Sequence, residues 1–236
     1  MKINRLLCSL TVFERWLWGV SAVVIAASYI LSGAGDFLTL IASLIGVSAL
    51  IFVAKGYVAG QVLSVIFAVF YGIVSFYFKY YGEMITYLCM SAPAAAFSVV
   101  SWLRHPYAKS DEVKVAKLTF KHTAAAALFA VAVTVMFYFI LRALGTAKLT
   151  VSTLSVFTSF LASELVFLRS PFYGVAYAAN DIVLIIMWTL ASIEDISYMP
   201  MILCFVMFLA NDIYGFYNWR RIGARQQNEG NNEGNF

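Results

Sequence analysis

Residues 169–221 read RSPFYGVAYAANDIVLIIMWTLASIEDISYMPMILCFVMFLANDIYGFYNWRR. Two apolar runs within this stretch, near 173–192 and 198–218, each have the roughly 20 residues that a helix needs to cross a hydrocarbon layer about 30 Å thick. Arg169 precedes the first run, Glu194 and Asp195 lie between the two, and Arg220 and Arg221 follow the second. Basic residues beside spans stay cytoplasmic, so this hairpin starts and ends on the cytoplasmic side.

The same reading extends outward to six earlier runs near 14–32, 37–54, 58–78, 84–103, 122–143 and 149–168, making eight predicted spans. Taking alternate connections, one side collects Lys2, Arg5, Arg15, Lys55, Arg104, Lys109, Lys114, Lys117, Lys121, Arg169, Arg220, Arg221 and Arg225, and the other keeps only Lys79, Arg142 and Lys148. Seven or nine spans would scramble that asymmetry. The expected protein is all-α and polytopic, in the cell (plasma or inner) membrane, with both termini cytoplasmic. Lys2 and Arg5 ahead of an apolar run could also open a signal peptide. Glu14, Arg15, Trp16 and Trp18 at the start of that run favour a retained helix with an interfacial aromatic end.

Composition points the same way. Hydrophobic residues are 62% and charged residues 12%, against about 25% charged in a soluble domain, and the mean hydropathy is +0.84. The net charge of +4 sits in cytoplasmic turns, where topology and anionic lipid headgroups account for it, so nucleic-acid binding is not expected. Cys8, Cys89 and Cys204 lack CxxC spacing, and His105 and His122 have no neighbouring ligand, so neither a metal nor a cofactor is expected.

Three helices at 37–103 and three at 149–219 share landmarks: Lys55-Gly56 and Arg169-Ser170 close the first helix of each triplet, and Trp102 and Trp219 close the third. Three helices return the chain on the opposite side, so a single helix at 122–143 makes the two copies parallel. The organisation read here is residues 1–36 with an extra helix, a first repeat at 37–103, a link and linker helix at 104–148, a second repeat at 149–219 and a disordered tail at 220–236. A three-plus-one-plus-three core of this kind is a transporter architecture, with substrate held between repeats near the midplane. The connection at 104–121 has mixed charge and reads as a solvated link.

Ionisable groups inside spans are costly and face an interior or a cavity. Glu164 in the sixth span and Asp181 beside Asn180 in the seventh qualify. Tyr177, Asn180 or Asp181, Leu184 and Trp188 recur at helical spacing, which suits a wall for a flat polar ligand; bonding between neighbouring helices would account for the polar pair equally well. Asn211, Tyr214 and Asn218 align on the eighth span, with Asp212 directed elsewhere. The first triplet offers Gln61 and Tyr71, Glu83 is expected to be solvated at the outer interface, and mid-span Pro93 should kink its helix.

Residues 177–188 (YAANDIVLIIMW), the turn IEDISYMP at 193–200 and FLANDIYGFYNWRR at 208–221 resemble the PnuC family of vitamin transporters, best known for nicotinamide riboside. The resemblance runs over about 37–221. It implies a trimeric facilitator without ion or ATP coupling, and a central site where aromatic rings sandwich a base while Asn and Gln side chains hold a ribose. The site expected on the residue reading and this resemblance comprises Tyr177, Asn180, Asp181, Trp188, Glu164, Asn211, Tyr214 and Gln61. Asn211 and Tyr214 fit the family's NxxY pattern, while Ala94 to Phe97 in the first triplet do not. Other nucleosides, thiamine or riboflavin are alternative cargoes. A fixed pyridinium charge suits aromatic faces and a carboxylate, and thiamine is cationic as well. Accumulation through an uncoupled facilitator needs a cytoplasmic enzyme, such as a kinase, to consume the product. A membrane-embedded enzyme on lipid or isoprenoid substrates is the competing class, and no HExxH or DxxD motif or histidine at depth supports it.

Overall fold

The computed structural model describes residues 9–32, 37–77, 81–108, 110–146 and 148–233. Lys2, Arg5, Cys8, Lys79, Lys109 and residues 234–236 lie outside the described residues. Among the described residues eight long helices follow one another: α1 (Val12–Leu31), α2 (Phe37–Ala54), α3 (Val58–Tyr77), α4 (Tyr81–Arg104), α5 (Phe120–Ala143), α6 (Leu149–Phe167), α7 (Tyr173–Glu194) and α8 (Met199–Glu233). No strand occurs among the described residues; the only extended pairing is two isolated bridges, Tyr57 with Glu112 and Pro106 with Val113.

Seven helices, α2 to α8, are long and apolar enough to cross a membrane. The first is excluded because its opening turn carries Glu14 and Arg15. That turn is built to hold them: Thr11 Oγ1 accepts from Glu14 N at 3.2 Å while Glu14 Oε2 accepts from Thr11 N at 2.6 Å, a reciprocal cap. Large apolar side chains such as Phe129, Met136 and Phe139 on α5 point outward, as a lipid-facing surface allows.

Contacts between helices run in a closed ring. Within the triplets α2 packs on α3, α3 on α4, α6 on α7 and α7 on α8; between them α4 packs on α6 and α8 on α2. The linker helix α5 lies against α6, and α1 against α2 and α8. At the end of the bundle that carries Lys55, Arg104, Arg169 and Arg220, the basic end, two indoles cross between triplets. Trp102 Nε1 donates to Val166 O at 3.0 Å and Trp219 Nε1 donates to Val53 O at 2.8 Å. The two rings lie 5.3 Å apart and both are fully buried.

Pro93 deforms α4 as expected, and the deformation is a π-helical turn over Thr86–Ser91 in which Ala92 N–H reaches back to Tyr87 O. A regular helix drifts about 40° every four residues; the wider turn offsets that drift, keeping Glu83, Tyr87, Ser91 and Ala95 on one side.

Two expectations need correction. Residues 220–233 are helical rather than a disordered tail, because α8 continues out of the membrane and is tied to the 104–121 connection. Arg225 pairs with Glu112, Gln226 Nε2 donates to Glu112 Oε1 at 2.8 Å and to Val113 O at 3.1 Å, and Gln226 Oε1 accepts from Val115 N at 2.9 Å. The carboxylate of Glu112 raises the Arg225 guanidinium above its ordinary value. The connection is solvated over most of its length, but it is not a free link. Val113 is buried beside both indoles, Val113 N donates to Gly56 O at 2.9 Å and Ala116 N to Arg169 O at 3.0 Å, so it staples the first helices of the two triplets.

Candidate substrate pathway

All six ring helices line one central cavity of about 110 Å³. Its wall is a set of helical stripes: Glu83, Tyr87, Ser91, Ala95 and Ser98 on α4, Ser155, Ser159 and Ser163 on α6, and Tyr173, Tyr177, Asp181 and Leu184 on α7. The sixteen residues from Glu83 to Ser98 correspond to roughly 20 Å of helix, about two thirds of a hydrocarbon core. The volume is below the roughly 300–1,000 Å³ of ligand-holding pockets, so the helices are drawn together around it.

An aromatic cluster closes the upper part of this cavity, away from the basic end. Tyr71 and Tyr87 have ring centroids 4.4 Å apart, Phe67 lies 5.5 Å from Tyr71, and Phe208 lies 5.8 Å from Phe67. Phe208 reaches over α2 because residue 46 is glycine: a Cβ there would stand 2.5 Å from Phe208 Cζ and 3.0 Å from Phe67 Cε2.

Polar groups occupy the middle. Asn180 Oδ1 accepts from Thr158 Oγ1 at 2.9 Å and Ser155 Oγ at 3.4 Å, and the Tyr177 hydroxyl lies 3.1 Å from Ser163 Oγ. Gln61 is buried in the wall and its amide makes no hydrogen bond to a described residue. Asp181 and Asp212 are each 3% exposed. No described amide or hydroxyl donor reaches Asp181 Oδ2; its carboxyl instead meets that of Asp212. A hydrogen bond between two carboxyl groups requires a proton on one of them. The cavity wall contains Glu83, Asp181 and Asp212 and, among its described residues, no Lys, Arg or His.

Of the eight residues singled out from sequence, the structure brings Gln61, Tyr177, Asn180 and Asp181 together in this wall. The other four lie elsewhere. Trp188 is buried among Leu184, Phe205 and Met201 and borders a separate cavity, with Tyr198 5.6 Å away. Glu164 is half-buried outside the wall, next to Ser163, which is in it. Asn211 Nδ2 donates to Ser21 Oγ at 3.0 Å and to Met207 O at 2.8 Å, and Tyr214 donates to Glu14 Oε1 at 2.7 Å. The NxxY stripe therefore faces α1. Glu14 also pairs with Lys55 at 3.1 Å, so this face anchors the first helix.

Asp212 does point away from the Asn211 and Tyr214 stripe, and it is this other face of α8, with Phe205, Phe208 and Asp212, that lines the cavity. Glu83 likewise borders the cavity and is not simply solvated at the interface. Sequence reading also passed over the serines at 155, 159 and 163, whose spacing of four was visible and marks a polar helix face.

Comparison with known proteins adds identity to this geometry. A family described as nicotinamide mononucleotide transporter matches residues 36–221. The chain is 27% identical over 224 residues to the nicotinamide riboside transporter PnuC of Neisseria mucosa, covering 93% of this chain and 85% of that protein. It is 25% identical over 192 residues to the nicotinamide riboside transporter PnuC of Haemophilus influenzae, covering 80% of this chain and 82% of the relative. A crystal structure of the vitamin B3 transporter PnuC superposes with a TM-score of 0.80 at 26% identity, over 92% of this chain and 94% of that one. With a match reaching from the start of α2 to the membrane exit of α8, the chain belongs to the nicotinamide mononucleotide transporter (PnuC) family of membrane transporters.

Proposed function

We propose that this protein takes up nicotinamide riboside by facilitated diffusion through the central cavity, with the site near the midplane between two parallel repeats. The charge of the wall carries the choice of cargo. A mononucleotide brings a phosphate dianion, which three carboxyl groups and no described cationic residue would repel. A riboside brings a single pyridinium charge, matched by the single negative charge of the Asp181 and Asp212 pair and by the surrounding rings. In this reading Gln61 and Asn180 bond the ribose hydroxyls and Tyr177 flanks the base.

Because pair and cargo neutralise each other, no co-ion is needed, and uptake runs only down a gradient. Cytoplasmic phosphorylation then traps the product. The reciprocal indole bonds of Trp102 and Trp219 and the closed helix ring support a pseudo-twofold 3+1+3 core. The charge asymmetry of the connections supports eight spans, cytoplasmic termini and entry from the end of Glu194. Outward apolar side chains on α5 leave room for the trimer that the family resemblance implies. Thiamine is the second reading, because it too is a cationic aromatic molecule that this wall would accept.

Uptake of labelled nicotinamide riboside into proteoliposomes decides the matter. The expected result is equilibration without accumulation, indifferent to proton or sodium gradients, with nicotinamide mononucleotide competing poorly; stronger uptake of thiamine would favour the second reading. Gradient-driven accumulation against concentration would refute the facilitator, and preferential uptake of the mononucleotide would refute the charge argument.

A further inference from the structure

A second cavity of about 270 Å³ lies beyond the first, between the start of α4, the connection from α5 to α6 and the end of α7. Tyr81, Glu83, Lys148, Ser152, Trp188 and Glu194 are in its wall. Glu83 belongs to the walls of both cavities. Three helix faces run from one cavity into the other: Ser152 to Ser155 on α6, Glu83 to Tyr87 on α4, and Trp188 through Leu184 to Asp181 on α7.

The mouth of this second cavity is closed on one side by a weak device. Lys148 Nζ lies 2.9 Å from Glu194 Oε1 and donates to Leu190 O at 3.3 Å. The ion pair is solvent-exposed, with Glu194 at 75% exposure, so separating it costs little. The opposite side is tight. A Cβ on Gly82 would stand 2.8 Å from both Leu141 Cδ2 and Thr146 Oγ1, which fixes the start of α4 against α5 and the loop after it. Glu83, held on that tight side, makes no hydrogen bond or ion pair with a described residue.

We propose that the second cavity is a vestibular subsite for a cationic aromatic ring, where Glu83 balances the charge beside Trp188 and Tyr81 and then hands the ring to the Asp181 and Asp212 pair. This rests on the reading that the cargo is a pyridinium nucleoside arriving from the Glu194 end. A ring with a fixed charge would otherwise cross an aromatic constriction with no counter-charge between solvent and the buried pair. Glu83 stands one helical turn before Tyr87, at the junction of the two spaces, and divides that passage into two shorter steps. The subsite recognises the charged ring, whereas the ribose is read in the central cavity.

Two measurements test it. In proteoliposomes at subsaturating substrate, Glu83→Gln should slow initial uptake of nicotinamide riboside by about tenfold and that of its neutral dihydro form by less than about twofold, while calorimetric affinity for nicotinamide riboside at equilibrium changes by less than about threefold. Equal slowing of both forms, or parent-like uptake of the cation, would overturn the subsite. An affinity loss as large as the rate loss would overturn it too, by assigning Glu83 to the central site. Separately, Ser152→Cys in a chain with Cys8, Cys89 and Cys204 replaced should be labelled from outside by a thiol reagent, and N-methylnicotinamide, a pyridinium without ribose, should slow that labelling. Unchanged labelling overturns the subsite. Absence of nicotinamide riboside uptake by the parent protein would instead overturn the proposed function, and the labelling result would still decide whether the vestibule holds a charged ring.

Discussion

Replacing either member of the carboxyl pair by its amide should do little to cation binding, whereas replacing both should abolish the preference for a cation. If one proton is shared between Asp181 and Asp212 in the parent, one negative charge remains on the pair. Asp212→Asn removes the proton with the carboxyl: the new amide donates to Asp181, which keeps the charge, the hydrogen bond and nearly the same volume. Asp181→Asn is the mirror case. Only the double substitution leaves the cavity without that charge. Both residues are 3% exposed, so screening is weak. A unit charge about 5 Å from the ring at an effective dielectric of about 20 contributes roughly 3 kcal/mol, or about a hundredfold in affinity. Calorimetry on purified protein would compare nicotinamide riboside with its neutral dihydro form across the parent, both single variants and the double variant. The expected ratio of the two affinities stays within about threefold of the parent in the singles and collapses by about 30- to 100-fold in the double. If Asp181→Asn alone collapses the ratio, the charge belongs to one residue and the shared proton is refuted. If the double variant keeps the ratio, neither carboxyl faces the ring.

Further outcomes follow from other contacts. Gly46→Ala should cost about 1–3 kcal/mol of stability through overpacking against Phe208 and should reduce uptake more than it reduces thermal stability; uptake equal to the parent's would show that Phe208 does not gate the cavity. Lys55→Met leaves Glu14 buried without its ammonium partner and should cost roughly 3 kcal/mol in thermal unfolding, while Tyr214→Phe should cost about 1.5–3 kcal/mol and leave substrate affinity intact, unlike Tyr177→Phe. Asp195 accepts from Ser197 N at 2.9 Å, which holds its carboxyl below the usual range; the cap is present above the ordinary carboxylate range and is lost as pH falls through the lowered value, so exchange protection of the Ser197 amide should disappear only in acid. A cysteine placed in the 104–121 connection should react with a membrane-impermeant reagent only from the cytoplasmic face, and labelling from outside would invert the topology.

The helix boundaries were legible because an apolar run of span length is interrupted only by the residues that end it, as at Lys55-Gly56 and at Arg169-Ser170. Helical phase was legible too: Tyr177 and Asp181 share a face, and so do Asn211, Tyr214 and Asn218. What a face looks toward was not. Spacing says which side chains lie together on a helix, but the direction is set by a partner distant in sequence, and here α1 supplies Glu14 and Ser21 to receive the Asn211 and Tyr214 stripe. The same stripe turned toward the cavity would have an identical sequence. The helical tail was hidden for a related reason. Residues 220–233 lack an apolar face of their own, and the 104–121 connection, through Glu112 and Val113, holds them in place. Glu83 was misjudged by its position near a helix end, where solvation is the usual outcome; it borders both the central cavity and the outer one.

The two crossed indoles at the basic end fix where this protein can bend. Each tryptophan is rooted in the last helix of one triplet and bonded to the first helix of the other, and the Val113 segment clips the same two first helices from below. Seen as a mechanism, that end is a fulcrum with two opposed latches between the two triplets. Rocking about the indoles would displace the far ends most and the pivot least, and α1, bonded to both α2 and α8, would have to follow one side or the other. Release on the near side would require both latches to slip at once.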